Sequence, residues 1–285
     1  MVQPVLHMEP LLICPVCKNK LAQKGKAYCC KKGHSFDPAA SGYLHLLPAN
    51  KKNSKIPGDN KQMVAARRSF LSKGFYLPIS QGLNQAVLFW REKLAMENPV
   101  VLDAGCGEGY YTARLWEALR QQGCNGQILG VDISKFAVQS AAKANKEILY
   151  AVASAFDLPV ASASCDILVS MFAPVAIEEF TRVLKKGGLL IFAVTSTRHL
   201  WELKEKIYDT PYENKKENHQ YPGFTFLEKR KVNQMLHLPT QEDVANLFTM
   251  TPYYYKSSVE TTARVHSLPE LDTQIDVDIL IYRKK

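Results

Sequence analysis

The chain has no run of apolar residues long enough to cross a bilayer, which excludes a protein built from membrane-spanning helices. Its N-terminus, MVQPVLHMEPLLICPVC, lacks both a charged start and a small-residue cleavage site, so no secretory signal is expected. Without export the thiols face a reducing cytoplasm, where stable disulfides are rare. Acidic residues are nearly missing from one end. Residues 1–74 hold 13 Lys/Arg and 3 Asp/Glu, a balance of +10, while the remaining 211 residues hold 23 and 24, a balance of −1. The net charge of +9 therefore belongs to the N-terminal quarter. That asymmetry fits a polyanion-binding module on a neutral body; a solvated lysine-rich surface is the plain alternative. Internal repeats and low-complexity segments are absent as well. The rest is ordinary: 285 residues with 46% hydrophobic and 22% charged, enough for one mid-sized enzyme domain and a small accessory domain.

Four of the seven cysteines crowd into residues 14–34, CPVCKNKLAQKGKAYCCKKGH. Cys14 and Cys17 form a C-x2-C knuckle, and Cys30 and His34 form a C-x3-H pair after a spacer of twelve residues. Two close pairs on either side of a hairpin supply the four tetrahedral ligands that zinc takes, and a set closed by protein ligands marks a structural metal. Cys29 is the alternative to Cys30. The latter is favoured, because neighbours on an extended strand point to opposite faces. A redox CPVC dithiol would need a strand-to-helix setting that this segment lacks. Metal ligation lets a small, lysine-studded fold hold together with little core.

Residues 48–62, PANKKNSKIPGDNKQ, are polar and rich in breakers and read as a linker or mobile loop. A helical pattern over 63–96 is interrupted near KGFYLPIS (73–80). From Pro99 onward apolar strands (VVLDAG, QILGVDIS, ILYAVAS, CDILVSMF, LLIFAVTS) are interspersed with helices (YYTARLWEALR, FAVQSAAKANK, AIEEFTRVLKK). That alternation predicts a parallel, doubly wound sheet. The tail from 205 starts as a charged helix-like stretch and closes in the strand IDVDILIYR.

The segment VVLDAGCGEGYYTARL sets Asp103, Gly105, Gly107 and Gly109 between a strand and a helix, where open α/β sheets bind ligands. Its spacing differs from the dinucleotide fingerprint. Glycines admit a ligand close to the backbone. No basic residue stands among 105–109, and Glu108 would repel a pyrophosphate, which favours a nucleoside-bearing cofactor without phosphates. Asp132, ending the next strand, can accept hydrogen bonds from both ribose hydroxyls or cap the helix that follows. Asp157, in ASAFDLP, can reach an adenine amine or cap a turn.

The glycine turn, Asp132 and RVLKKGGLL (182–190) together resemble the class I S-adenosylmethionine-dependent methyltransferases. The resemblance implies an α/β fold: a Rossmann-like, mostly parallel doubly wound sheet, here with a small N-terminal zinc-binding domain. In such enzymes the fourth strand's end holds the methyl acceptor, and those acting on exocyclic amines often carry Asp/Asn-Pro-Pro-aromatic there. This chain has Met171-Phe172-Ala173-Pro174, without the leading amide or carboxylate, leaving a ring nitrogen, carbon or oxygen as acceptor. Phe172 can stack on a flipped base or simply pack at a strand end.

From end to end the chain resembles the bacterial 23S ribosomal RNA (guanine-N1)-methyltransferases. The match runs through the C-x2-C-x12-C-x3-H finger, GYLHLLP (42–48), PGD (57–59), ARRSFLSKGFYLP (66–78), DAGCGEGYYT (103–112), GVDISK (130–135), MFAP and RHLWELK (198–204). It implies a zinc-binding RNA-recognition domain at 1–47, a linker and helical segment at 48–96 and a methyltransferase domain at 97–285. It adds Tyr76, Tyr111, Thr112 and His199 to Asp103, Gly105, Gly107 and Asp132 as cofactor contacts, with Cys14, Cys17, Cys30 and His34 on zinc. By its own sequence, His199 reads as a surface residue at a helix start. The implied partner is a 23S ribosomal RNA hairpin, its phosphates met by Lys18, Lys20, Lys24, Lys26, Lys31 and Lys32. The expected setting is cytoplasmic, with no membrane contact and with a homodimer as a candidate assembly. The family holds two specificities for nearby guanines, one tied to tylosin resistance, and no residue here separates them. Asp157 and His199 are candidate acceptors of the guanine N1 proton; neither carries the signature of a base, and the role stays unassigned. Two other functions compete: a small-molecule methyltransferase with a structural zinc, and a non-catalytic zinc-containing RNA-binding protein.

Overall fold

The structure, a computed structural model, describes residues 11–51, 57–214 and 220–285. The chain begins with β1 (Leu21–Lys24), β2 (Ala27–Cys30) and β3 (Ser35–Phe36), a small antiparallel sheet, and then β4 (Leu44–His45). Two helices follow, α1 (Lys61–Ser72) and α2 (Leu77–Lys93). Strand and helix then alternate through β5 (Val100–Ala104), α3 (Tyr110–Gln121), β6 (Gln127–Asp132), α4 (Lys135–Ala144) and β7 (Leu149–Val152). The run continues with β8 (Cys165–Met171), α5 (Ile177–Val183), β9 (Leu184–Thr195) and α6 (Trp201–Ile207). It closes with β10 (Phe224–Leu238), α7 (Gln241–Thr249), α8 (Tyr253–Lys256), α9 (Val259–His266) and β11 (Leu271–Lys284).

The eight-stranded main sheet has the order β10-β11-β9-β8-β5-β6-β7-β4. Six neighbouring strands, from β9 to β4, pair in parallel; β11 pairs antiparallel with β9, and β10 antiparallel with β11. Parallel strands covered on both faces bury nearly every residue, so β7 (LYAV) is buried throughout and β5 (VVLDA) at all but its first position. Alternate residues feed two cores. Val101, Ile128, Val169 and Ile191 face α1, α2, α3 and α6, while Leu102, Leu129, Leu168 and Leu190 face α5 and the N-terminal segment. This second core includes Leu11, Leu12, Leu21, Leu44 and Leu46. Each such leucine contributes about 2 kcal/mol by leaving water. The small sheet is therefore fused to the large one, and β4, from GYLHLLP, is the large sheet's own edge strand.

Three expectations need correction. The helix read into AIEEFTRVLKK stops at Val183, and Leu184 pairs with Cys165 to open β9. The charged helix-like stretch of the tail is the end of α6, which finishes at Ile207. The 15-residue strand β10 (FTFLEKRKVNQMLHL) did not show in the sequence. It lies at the sheet's edge with most side chains in water, so it carries no apolar face; Lys229 and Lys231 pair with Asp278 and Asp276 of β11 instead. Within 48–62, residues 52–56 lie outside the described residues, whereas Gly58 and Asp59 pack against Ile133 and Ser134.

Candidate active site and zinc centre

The knuckle of Cys14 and Cys17 is closed by the Lys18 N–H donating to the Cys14 carbonyl at 2.8 Å, with Lys18 in the left-handed region at φ 58°. The second turn repeats the device: Gly33, at φ 86°, donates to the Cys30 carbonyl at 3.0 Å. The ligand atoms of Cys14, Cys17, Cys30 and His34 then lie within 4.8 Å of one another. Cys17 Sγ is 3.6 Å from Cys30 Sγ, and His34 Nδ1 is 3.5 Å from Cys14 Sγ and 3.3 Å from Cys30 Sγ. A tetrahedral zinc with bonds of about 2.3 Å to sulfur sets ligand atoms roughly 3.5–3.8 Å apart, so the four fit zinc. The Asn19 side-chain amide donates to Cys17 Sγ at 3.2 Å, the kind of outer-shell bond that orients a ligand. Cys29 turns to the other face of β2, with Sγ 3.4 Å from Ser35 Oγ. Every cysteine is free of a disulfide.

At the carboxyl end of β5, Asp103 is buried beneath the glycine turn. Thr112 Oγ1 donates to its Oδ2 at 2.5 Å, while Oδ1 is buried with no partner. Burial pushes the carboxyl up to about 7; the Thr112 bond opposes this, and Asp132 and Glu108 add to it. Gly105, Gly107 and Gly109 all take left-handed φ, at 91°, 56° and 85°. A side chain on Gly105 would overlap Ala173, while one on Gly107 would meet only Arg67, 3.9 Å away. The Gly107 N–H donates to Asp132 Oδ2 at 3.0 Å and the Ser134 N–H to Oδ1 at 2.7 Å, so each oxygen keeps a lone pair for a further donor. Burial raises the Asp132 carboxyl too.

A strap that carries PGD (57–59) closes this corner. Ser134 Oγ donates to the Asp59 carbonyl at 2.7 Å, and the Asp59 carboxylate pairs with Arg67 of α1. Arg67 also donates to the Met250 carbonyl at 3.2 Å and stands 4.0 Å from the buried Glu108 carboxylate. The roles of Asp59 and Arg67 escaped the sequence reading, although both lie in segments that carry the resemblance.

Beyond β8, Phe172 sits at φ 57° with 39% of its surface exposed, so it is not simple core packing. Its ring centre lies 6.3 Å from each of Tyr76, Tyr111 and His199, the last nearly parallel to it. The Tyr76 and Tyr111 hydroxyls are buried without partners. His199 is buried, not a surface residue. The Asp276 N–H donates to its Nδ1 at 3.2 Å, and burial pulls the ring down to about 4. The imidazole is thus neutral at pH 7 with its proton on Nε2. The anticipated residues fall into three groups: the Cys/His set; Asp103, Thr112, the glycines and Asp132; and Tyr76, Tyr111 and His199 around Phe172. Tyr111 and Thr112, neighbours on α3, join the last two. Asp157 stands apart in an ion pair with Lys18 of the knuckle at 2.5 Å.

An unpartnered buried carboxylate oxygen beside a glycine turn suits an ammonium group, and Asp132 suits vicinal hydroxyls. These residues fit an amino-acid nucleoside such as S-adenosylmethionine. Comparison with known proteins agrees with that chemistry. The zinc-ribbon family described as RlmA, N-terminal, matches residues 12–55, and the family described as Methyltransferase domain matches 96–249. YxjB of Bacillus subtilis (strain 168), a candidate 23S rRNA (guanine-N1)-methyltransferase by name, is 30% identical over 284 residues, covering 95% of this chain and 96% of that one. The 23S rRNA (guanine(748)-N1)-methyltransferase of Streptomyces fradiae is 34% identical over 197 residues, 69% of this chain and 67% of that one. With the zinc ribbon and the methyltransferase core in one order across the full length, the chain belongs to the 23S rRNA (guanine-N1)-methyltransferase family.

Proposed function

We propose that this protein transfers the methyl group of S-adenosylmethionine to N1 of one guanine in a hairpin loop of 23S ribosomal RNA. Beyond family membership, the observation that carries the reading is the half-exposed Phe172, ringed by Tyr76, Tyr111 and His199 directly past β8. A flat aromatic face at that strand end suits a base taken out of its stack. The cofactor supplies an electrophilic methyl on a sulfonium. Asp132 holds the ribose hydroxyls, Asp103 faces the ammonium, and the bare backbone of the glycine turn lets the ligand approach. Phe172 stacks on the guanine, and the unpartnered Tyr76 and Tyr111 hydroxyls meet polar edges inside the pocket. In-line methyl transfer depends chiefly on such positioning. His199, neutral and with Nδ1 already occupied, acts as a hydrogen-bond donor and not as a base. The N1 proton passes to water at this partly exposed site as the N1–methyl bond forms and the sulfonium leaves as the neutral thioether.

The six lysines of the zinc ribbon (18, 20, 24, 26, 31 and 32) are all exposed; Lys18 pairs with Asp157, and the other five point their charge toward phosphates of the RNA backbone on this reading. No helix among the described residues is long and apolar enough to cross a membrane. On this reading the protein works in the cytoplasm, and sedimentation of the purified chain tells monomer from homodimer. Labelled methyl transfer to an unmodified 23S hairpin tests the reading, with the same hairpin carrying 1-methylguanosine as the control. Transfer to the first and not the second is expected. Transfer to small molecules without RNA would overturn it.

A further inference from the structure

The zinc ribbon is bonded to the loop that leaves the carboxyl end of β7, next to Asp132. Loop 153–161 leaves β7 beside Asp132, whose carbonyl accepts from the Ala153 N–H at 3.0 Å. The loop turns through the Asp157 N–H donating to the Ser154 carbonyl at 3.1 Å. It then runs antiparallel to residues 11–13: Ile13 N–H donates to the Pro159 carbonyl at 2.9 Å, Ala161 N–H to the Leu11 carbonyl at 2.8 Å, and Leu12 bridges Val160. Cys14, a metal ligand, is the next residue in the chain and is fully buried. On the far side of the same knuckle, Lys18 Nζ meets Asp157 Oδ1 at 2.5 Å. The loop's second half is also gripped from α5, where Glu179 accepts from the Leu158 N–H and Arg182 donates to the carbonyls of Leu158 and Val160.

We propose that the zinc centre is a positioning element of the cofactor pocket: by fixing the knuckle, it sets the place of loop 153–161 and so the affinity for S-adenosylmethionine. Lys18 is a positioning residue in this scheme: through Asp157 it holds the loop that leaves β7 beside Asp132. The proposal rests on the reading of Asp103 and Asp132 as cofactor ligands. It changes the role of the metal, since a module that served only RNA would leave cofactor affinity untouched when emptied. The Lys18–Asp157 pair is 47% and 25% exposed, so water weakens it, and its loss alone should cost a factor of about 2–5 in affinity. Removing the metal disrupts the pair and the backbone pairing together, and affinity should then fall tenfold or more.

Calorimetric titration of the full-length protein with S-adenosylhomocysteine, the unreactive product, reads this directly. The forms to compare are the zinc-loaded protein, the chelator-stripped protein, and zinc-loaded Lys18→Met, Asp157→Asn and the double variant. Lys186→Met, exposed on β9, controls for loss of one positive charge. Stripping should weaken binding most; each single variant should weaken it severalfold, and the double no further than either single. Unchanged affinity across the stripped protein and the variants would overturn the proposal. If stripping unfolds the whole chain, the zinc-retaining variants decide alone. Failure of the loaded wild-type protein to bind would instead overturn the cofactor reading, and this proposal with it.

Discussion

At the scale of single residues, most of the chemistry is set by what lies within hydrogen-bond reach. Cys29 and Cys30 are neighbours on one strand, yet only Cys30 points at Cys14, Cys17 and His34. Cys29→Ser should keep about one zinc per chain, and Cys30→Ser should lose it, as metal analysis of the purified variants would read. Equal zinc in both would contradict the assignment. Asp103 carries a pH dependence whose sign follows from its burial. Its carboxyl is raised from an ordinary 3.8 to about 7, so between those values the folded protein holds a proton that the unfolded chain has lost. The neutral form's stability is fully present below about 4 and is lost as pH rises through 7. On the proposed reading a cationic ammonium binds the ionised form and expels that proton. Affinity for S-adenosylhomocysteine should therefore rise from pH 6 to 7.5, with proton release at pH 6 visible in buffers of different ionisation heat. Asp103→Asn should abolish the release and weaken binding by about 2 kcal/mol, the worth of a hydrogen bond to a charged group. Binding without proton release at pH 6 would argue against this partner.

Among the elements, legibility tracks burial. Strands β5 to β9 could be read because parallel strands buried on both faces are short apolar runs, as in VVLDA and LYAV. Strand β10 could not, because an edge strand keeps its place by backbone pairing and ion pairs with β11, neither of which leaves a periodic pattern. The glycine turn was legible for the same local reason: its three glycines and Asp103 fall within seven residues. Arg67 was not, since Asp59, Glu108 and Met250 come to it from three separate segments. His199 misled in the other direction, for nothing beside it in sequence announces the β11 backbone that buries it. Within the turn the glycines differ. Gly105→Ala, in a left-handed position with its new Cβ 2.3 Å from that of Ala173, should lose on the order of 3 kcal/mol of stability. Gly107→Ala has room and should lose only about 1 kcal/mol, yet weaken cofactor binding tenfold or more. Thermal melts paired with titrations separate the two; similar melting losses in both would reject the distinction.

For the whole molecule, the charge asymmetry and the sheet divide the labour. On the proposed reading the exposed lysines of the zinc ribbon would meet the phosphates, and the carboxyl ends of the sheet would hold cofactor and base. Replacing Lys20, Lys24, Lys26, Lys31 and Lys32 with glutamine should weaken RNA binding while leaving S-adenosylhomocysteine affinity unchanged. The log–log salt slope should flatten by about 0.7–0.9 for each phosphate that is no longer neutralised. A full slope in that variant would move the RNA surface elsewhere. The central claim, methyl transfer to guanine N1 of 23S ribosomal RNA, has its most direct test in one reaction. Large-subunit RNA that lacks native methylation is incubated with the protein and isotopically labelled S-adenosylmethionine, and the product is mapped by nuclease digestion and mass spectrometry. The expected product is one labelled 1-methylguanosine, in a hairpin loop, and none with Asp132→Ala at limiting cofactor. Label on an exocyclic amine, on ribose, or on no RNA at all would contradict it.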